Sequence, residues 1–371
     1  MRIAHLDTGR EWRGGQAQVL FLMRGLRDAG DENLLLAPDG PLLDHARTAG
    51  FTTVRWRPRG EWDLGAALEA RAALRRAGVE VAHCHSAHAH AVGVPAARWA
   101  GVPAVVVSRR VDFAVAKNPL STLKYRMPVD RYLCISRGVL EVMRQGGIPD
   151  DRLALVPSGI VFPAPPPGPD LRDLIGAPRA APVVGTVAAL APHKDHADLL
   201  RAAARVVAER PDVHFAWVGE GECRGALERQ RAELGLERHV HLLGFRTDAH
   251  ALLRQFTLFA LSSYLEGLCT SLLDAQALGV PIVATAVGGV PDVVEDGVTG
   301  RLVPGRDPER MAQALLEAFA DPDLRGGWAA RARESVERFR IERTVELTRA
   351  QYLEALRVRQ RIGQPHGGDL A

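Results

Sequence analysis

The sequence predicts an α/β protein of two Rossmann-like domains, each a parallel sheet doubly wound with helices. Three observations carry this reading. Strand-like and helix-like segments alternate along nearly the whole chain. The alternation breaks at Phe162 to Asp170, where five prolines fall in nine residues. Such a run cannot build an element interior and suits a stiff linker. The length of 371 residues sets a prior of two or three domains.

In the first half, Arg2 to Leu6, Asn33 to Ala37, Thr52 to Arg55, Val81 to His85, Ala104 to Ser108, Arg131 to Ile135 and Leu153 to Val156 are short apolar runs that read as strands. Gln16–Ala29, Leu64–Ala77 and Gly138–Gln145 carry helical patterning between them. After the prolines, strands are expected at Pro182 to Val187, Val213–Val218, Val240–Leu243, Leu258–Leu261 and Ile282–Ala284. From Asp307 to about Arg359 the pattern is helical. The expected division is residues 1–165, residues 166–340, and a C-terminal segment 341–371 ending in a disordered tail.

Composition excludes some classes. Hydrophobic content of 47% and charged content of 25% are ordinary for a globular protein. No apolar run is long enough to span a bilayer. The first residues, MRIAHLDTGR, lack a signal-peptide core, so a cytoplasmic location is expected. Cys84, Cys134, Cys223 and Cys269 show no paired spacing and read as reduced thiols. Net charge is +3, unevenly spread. Residues 95–137 hold eight basic residues against two acidic ones, including Arg109, Arg110, Lys117, Lys124, Arg126 and Arg131. Two readings stay open: a solvated surface, or a face that meets an anionic acceptor or the lipid headgroups of the inner leaflet. No nucleic-acid partner is expected.

The most informative stretch is Leu258 to Pro304. A buried strand leads into a turn carrying Glu266. Gly267-Leu268-Cys269-Thr270-Ser271 then opens a helix expected to reach Leu278, and Gly279 and Pro281 end it. A carboxylate and a helix N-terminus thus share the C-terminal end of a strand, where ligands bind in open α/β sheets. Free amides there can cradle phosphate. Asp274 follows eight residues after Glu266, within reach of the same crevice.

This segment resembles the nucleotide-sugar signature of the retaining glycosyltransferases called family 4, which have the GT-B fold. The pattern is Glu266, seven residues, Asp274, then Gly279-Val280-Pro281-Ile282-Val283 and Gly288-Gly289. The resemblance runs from the Gly-Gly loop near residue 14 to about residue 340. It implies two domains facing a central cleft, with the last helix crossing back to the first domain. It also implies sugar transfer from a nucleoside diphosphate to a hydroxyl acceptor with retention, in a pathway of cell-envelope or lipopolysaccharide type. The acceptor would be a glycan or a lipid-linked molecule.

The implied roles follow the matched positions. Glu266 would orient the sugar. Lys194, the only lysine of the second half, and the amides of Gly267, Leu268, Cys269 and Thr270 would steady the leaving diphosphate. Asp274, where the family has Glu, would hold the ribose. Gly219, Gly244 and Phe245 would lie by the nucleobase, and Gly14 and Gly15 would face the donor. His85 and Arg109 are acceptor-side candidates, Arg109 standing where the family has His. Ala188 and Ala189 stand where it has Arg. His88 and His90 read as surface or helix-start residues. A zinc reading of His83, Cys84, His85, His88 and His90 matches no usual spacing. Asp321-Pro322-Asp323 suits a turn and a helix cap rather than a metal. No cofactor and no metal are expected. Two rival functions share the pattern: a GT-B nucleotide-sugar epimerase and a non-catalytic sugar-binding protein.

Overall fold

A computed structural model describes residues 1–113, 115, 119–162, 164 and 167–363. Lys117 and the expected disordered tail beyond residue 363 lie outside the described residues. The chain forms two compact units. One is Met1–Gly159 together with the segment from Ile341; the other is Ile160–Arg340.

The first unit is a seven-stranded, all-parallel sheet. Its strands are β1 (Arg2–Leu6), β2 (Glu32–Ala37), β3 (Thr52–Arg55), β4 (Val81–Cys84), β5 (Ala104–Arg109), β6 (Arg131–Cys134) and β7 (Leu153–Leu155). Their order is β3-β2-β1-β4-β5-β6-β7. The order reverses at β1 and β4, which opens a switch point at their C-terminal ends. Central strands are buried on both faces, so they read as continuous apolar runs. Ile3, Val81, Ala104, Val106 and Leu133 pack with Ile341, Val345, Tyr352 and Ala355 of the last helix, Ile341–Gly363. Further along the same face, Leu35 and Ala37 pack with Val19, Met23, Leu42 and Leu43. Arg349 pairs with the buried Asp31 at 2.8 Å, and Arg359 donates to Asp130 at 3.3 Å, which fastens the last helix to this unit.

The second unit is a six-stranded parallel sheet. Its strands are β8 (Val183–Val187), β9 (His214–Val218), β10 (Val240–Leu242), β11 (Leu258–Leu261), β12 (Ile282–Thr285) and β13 (Arg301–Val303). Their order is β10-β9-β8-β11-β12-β13, with the switch point between β8 and β11. Strand β13 escapes the sequence reading because three residues at a sheet edge, led by an arginine, show no period. Two glycines have strict reasons. Gly219 has a φ of +151°, and a Cβ there would meet the carbonyl oxygen of Ala188 at 1.8 Å. A Cβ on Gly221 would meet that of Leu190 at 2.4 Å. The loop after β9 can lie against the loop after β8 only because both are glycine.

Two expectations need comment here. The helix expected from Gly267 begins at Thr270 and ends at Ala277, which corrects its start. Gly267, Leu268 and Cys269 form a buried approach to it, with Cys269 in extended geometry at the N-cap. Asp321 does cap the helix Pro322–Ser335, accepting from the Leu324 amide at 2.9 Å.

Candidate functional site

In the second unit the chemistry gathers at the ends of neighbouring strands β8 and β11. The loop after β8 carries Pro192–Lys194 in a tight helical turn. The loop after β11 carries Ser262 to Glu266. Two hydrogen bonds tie the loops together: Tyr264 N–H to the His193 carbonyl at 3.0 Å, and Ser262 Oγ to the Lys194 carbonyl at 2.9 Å. Lys194 Nζ then donates to Glu266 Oε2 in a close ion pair, with both side chains nearly buried. Ser263 Oγ donates to the same oxygen at 3.1 Å. The Glu266 carbonyl accepts from the Gly289 amide at 2.9 Å, so Gly289 also braces the turn. A short loop with this many fixed donors holds a carboxylate in one place.

The helix Thr270–Ala277 starts beside this pair with no side-chain cap. The Leu272 amide meets the Cys269 carbonyl at 3.1 Å, and the amides before it, with no side-chain cap, suit a ligand or water. Burial pushes the Cys269 thiol up, with the nearby Glu266 charge adding to the effect. Its sulfur lies 3.1 Å from Ser271 Oγ.

Asp274 is brought to a different partner from Glu266. Its Oδ2 lies 3.2 Å from His250 Nε2. The hydrogen bond to Asp274 raises the pKa of His250 above its ordinary value, against the opposing effect of burial. No sequence pattern announces His250; only the fold brings its helix, Ala249–Leu253, to Asp274. Gly219 N–H donates to the Gly244 carbonyl at 2.9 Å, and Phe245 beside it is 66% exposed. Arg306, with a left-handed φ of 59°, stacks its guanidinium on Tyr264 at 4.3 Å. That guanidinium, not one at Ala188 or Ala189, stands by the Glu266 turn.

The first unit holds a second cluster, at the ends of β1 and β4. His5 and His83 are register partners across these strands. They meet His85, and ligand atoms of the three lie within 4.8 Å of one another. Every ring nitrogen already has a partner. His5 Nε2 is 2.9 Å from Asn33 Oδ1, and His5 Nδ1 is 3.0 Å from His85 Nε2. His85 Nδ1 is 3.4 Å from Arg110 Nη2. His83 meets the Tyr352 hydroxyl at 2.6 Å and Ser108 Oγ at 2.8 Å.

The direction of this chain is fixed at both ends. The Asn33 amide donates its N–H to the Asp31 carbonyl at 3.0 Å, so its oxygen faces His5. Arginine can only donate. His5 therefore donates from Nε2 and accepts at Nδ1. His85 donates from Nε2 to His5 and accepts at Nδ1 from Arg110. Both rings are neutral. Burial agrees: it holds His5 at about 4 and pushes His83 and His85 well below the ordinary value.

A cavity of about 230 Å³ opens beside this cluster. Its walls include Asp7, Gly15, His85, His90, Arg109, Arg110, Tyr125 and Tyr132. Several expectations change here. His88 and His90 both lie at the start of the helix Ala87–Trp99, one of the two readings given for them; His90 is buried there rather than at the surface, while His88 is exposed. Arg109 lines the cavity, but its Nη1 donates to Tyr125 at 3.0 Å and its Nη2 to the Phe113 carbonyl at 2.5 Å. Arg110 is the arginine that meets His85. Strand alternation carries that signal: His83, His85, Ser108 and Arg110 fall on one face, and Arg109 on the other. Gly14 starts the helix Gly14–Asp28, and Gly15 sits by the Arg110 side chain.

Of the described basic residues in this stretch only Arg126 and Arg137 are exposed. Lys124 is buried and paired with Glu61 at 2.7 Å. Arg98 pairs with Asp130 at 2.6 Å, and Arg131 with Glu354 at 3.7 Å. Glu61 and Glu354 come from distant parts of the chain, which a local charge count misses. No helix among the described residues is long and apolar enough to cross a membrane.

Comparison with known proteins places this geometry in context. A family model described as "Glycosyl transferases group 1" matches residues 170–335. One described as "Glycosyltransferase Family 4" matches residues 12–162. A D-inositol 3-phosphate glycosyltransferase of Corynebacterium urealyticum is 30% identical over 277 residues, covering 67% of this chain and 64% of that protein. The chain thus spans just under two thirds of that relative's length. The UDP-Gal:alpha-D-GlcNAc-diphosphoundecaprenol alpha-1,3-galactosyltransferase of Escherichia coli is 26% identical, covering 79% of this chain and 81% of that protein. Among solved structures, Anabaena HepE in complex with UDP and glucose superposes with a TM-score of 0.83 at 21% identity, covering 96% of this chain and all of that one.

Proposed function

We propose that this chain, which belongs to the family 4 glycosyltransferases of GT-B fold, transfers a sugar from a nucleoside-diphosphate sugar to a hydroxyl acceptor with retention of configuration. The observation that carries the reading is the Lys194–Glu266 pair at the β8–β11 switch point, beside an uncapped helix start. A lysine held by a carboxylate is a cation poised to exchange that partner for a diphosphate. Glu266 is then released to accept from the sugar hydroxyls, with Ser263 still fixing one oxygen. The amides at Thr270 and the positive end of its helix add to the stabilisation of the leaving diphosphate. These groups supply the charge neutralisation that other transferases draw from a metal, so transfer proceeds without one. The leaving phosphate takes the acceptor proton.

Asp274 accepts from a ribose hydroxyl, and His250 orients it. The nucleobase lies by Gly219, Gly244 and Phe245. A phosphate-bearing acceptor in cell-envelope glycan synthesis is supported by the relatives' names, which include an inositol phosphate and a diphosphoundecaprenol-linked sugar. A place at the inner leaflet rests on that lipid-linked acceptor, because Arg98, Lys124 and Arg131 of the basic stretch are paired with carboxylates.

The experiment is a panel of UDP-, GDP- and ADP-sugars with and without EDTA, with product stereochemistry read by NMR. Retained transfer from one donor, unchanged by EDTA, is expected. No transfer and no donor consumption with any of them, or an absolute need for added Mg²⁺, contradicts the proposal.

A further inference from the structure

We propose that the cavity beside Arg110 in the first unit is an anion-selective acceptor subsite, taking a phosphate or carboxylate borne on a hydroxylated ligand. The word acceptor rests on the transferase reading; the anion site itself does not.

Two independent observations carry it. The first is an excess of positive charge, two guanidiniums against the one carboxylate of Asp7 on the same lining. Arg109 and Arg110 both line the cavity, and among the described residues neither has a carboxylate within ion-pair distance. The other basic residues of this stretch for which pairs are recorded, Arg98, Lys124 and Arg131, do have one. Burial lowers Arg110 to about 10, with Asp7 opposing. A buried cation that its surroundings only partly compensate is costly, and a ligand anion lowers the cost.

The second observation is a set of buried polar atoms on the same walls with no hydrogen-bond partner among the described residues: Arg109 Nε, Arg110 Nε, His90 Nε2 and the Tyr132 hydroxyl. Buried polar atoms in folded proteins are nearly always paired. All four atoms belong to residues lining one cavity of about 230 Å³; each is itself covered by protein, so they mark residues whose hydrogen bonding the fold leaves incomplete around that cavity.

The neighbouring histidines sharpen the selectivity. Asn33 fixes the tautomers of His5 and His85, so His85 offers Arg110 a lone pair and not a competing charge. The two Arg110 contacts, to His85 and to Ser158, are both 3.4 Å long and yield readily to an anion. Asp7 also lines the cavity and would repel an anion. Its Oδ1 is already engaged by the Gly9 amide at 2.7 Å and Gln16 at 3.1 Å, which leaves it to accept from ligand hydroxyls. Charge at one end and hydroxyl acceptors at the other describe a hydroxylated anion.

Isothermal titration of the full chain at low salt with glycerol 3-phosphate, glycerate and glycerol tests this. Binding of at least one anion and not of glycerol is expected; the tighter anion identifies phosphate or carboxylate as the recognised group. Arg110→Gln should weaken it about 10- to 100-fold. Tyr132→Phe removes one hydroxyl, should weaken it by a smaller factor, and decides the matter if Arg110→Gln does not fold. Lys194→Ala, in the other unit, should leave it unchanged. Equal binding of glycerol, no binding of either anion, or binding lost in Lys194→Ala and kept in both first-unit variants overturns the site. Sugar transfer is measured on the same samples. Anion binding without transfer from any donor overturns the transferase reading alone; transfer without anion binding overturns this subsite alone.

Discussion

The two units handle buried polar chemistry in opposite ways. In the second, Lys194, Glu266 and Ser263 satisfy one another, and two backbone hydrogen bonds hold their loops in place. In the first, His5, His83 and His85 are satisfied but uncharged, while among the described residues Arg109 and Arg110 make no ion pair and four buried polar atoms, His90 Nε2 among them, lack partners. A closed ion pair is set before its ligand arrives and exchanges partners when it does. An orphaned cavity is complete only once filled. The contrast teaches that one fold, used twice, can hold a preorganised site on one sheet and an unsatisfied site on the other. It also separates kinetic effects: changes in the second unit should strike turnover and donor, and changes in the first should strike the acceptor.

The largest break is expected at Glu266→Gln. Turnover should fall by about 100-fold or more, roughly 3 kcal/mol of transition-state stabilisation, while nucleotide affinity stays similar. Steady-state kinetics with a matched binding titration check it. Arg110→Gln comes next and tests the other side. Acceptor KM should rise about 10- to 100-fold with kcat little changed, the pattern of lost uniform binding. A fall in kcat alone would move Arg110 into the chemistry.

A third test uses pH. His5 and His90 are held by burial at about 4 and about 3. In the unfolded chain they titrate near 6.5. The unfolded state therefore binds more protons in the window between, and stability falls as pH drops below about 6.5 toward 4. Each such histidine contributes up to about 1.4 kcal/mol per pH unit there. Urea unfolding at pH 7 and pH 5 should show this loss, reduced in His5→Gln. Equal stability of the wild type at both pH values contradicts neutral buried histidines.

The smallest effect belongs to His250 and Asp274. Here the folded pKa is raised, so the contribution is present below about 6.5 and lost as pH climbs through the raised value. The His250 side chain is half exposed, and His250→Gln should cost about 0.5 kcal/mol or less at pH 6 and nothing at pH 8.5. Better binding of ribo- than 2′-deoxy-nucleotides should vanish in Asp274→Ala.

Much of the fold is legible because parallel sheets buried on both faces leave apolar runs, as at Val105 to Val107 and at Leu258 to Leu261. Glu266 and Lys194 are legible through their spacing to glycines and strand ends. Their mutual contact is not, because it spans 72 residues and depends on the order β8–β11. Arg109 stands out before Arg110 because position in a motif points to it, while strand alternation favours its neighbour. His5 joins the cluster unannounced, since only the pairing of β1 with β4 brings it to His83. The basic stretch misleads because Glu61 and Glu354 neutralise it from far along the chain.

The most direct test is thermal unfolding with UDP, GDP and ADP in the presence of EDTA, for the wild type and Lys194→Ala. A ligand that binds only the folded state raises the midpoint, by about 2.7 kcal/mol of stabilisation at a hundredfold excess over Kd. One nucleoside diphosphate should raise the wild-type midpoint without metal and do so far less in Lys194→Ala. No shift with any of the three, or an equal shift in both proteins, would contradict a donor diphosphate site at the Lys194–Glu266 pair.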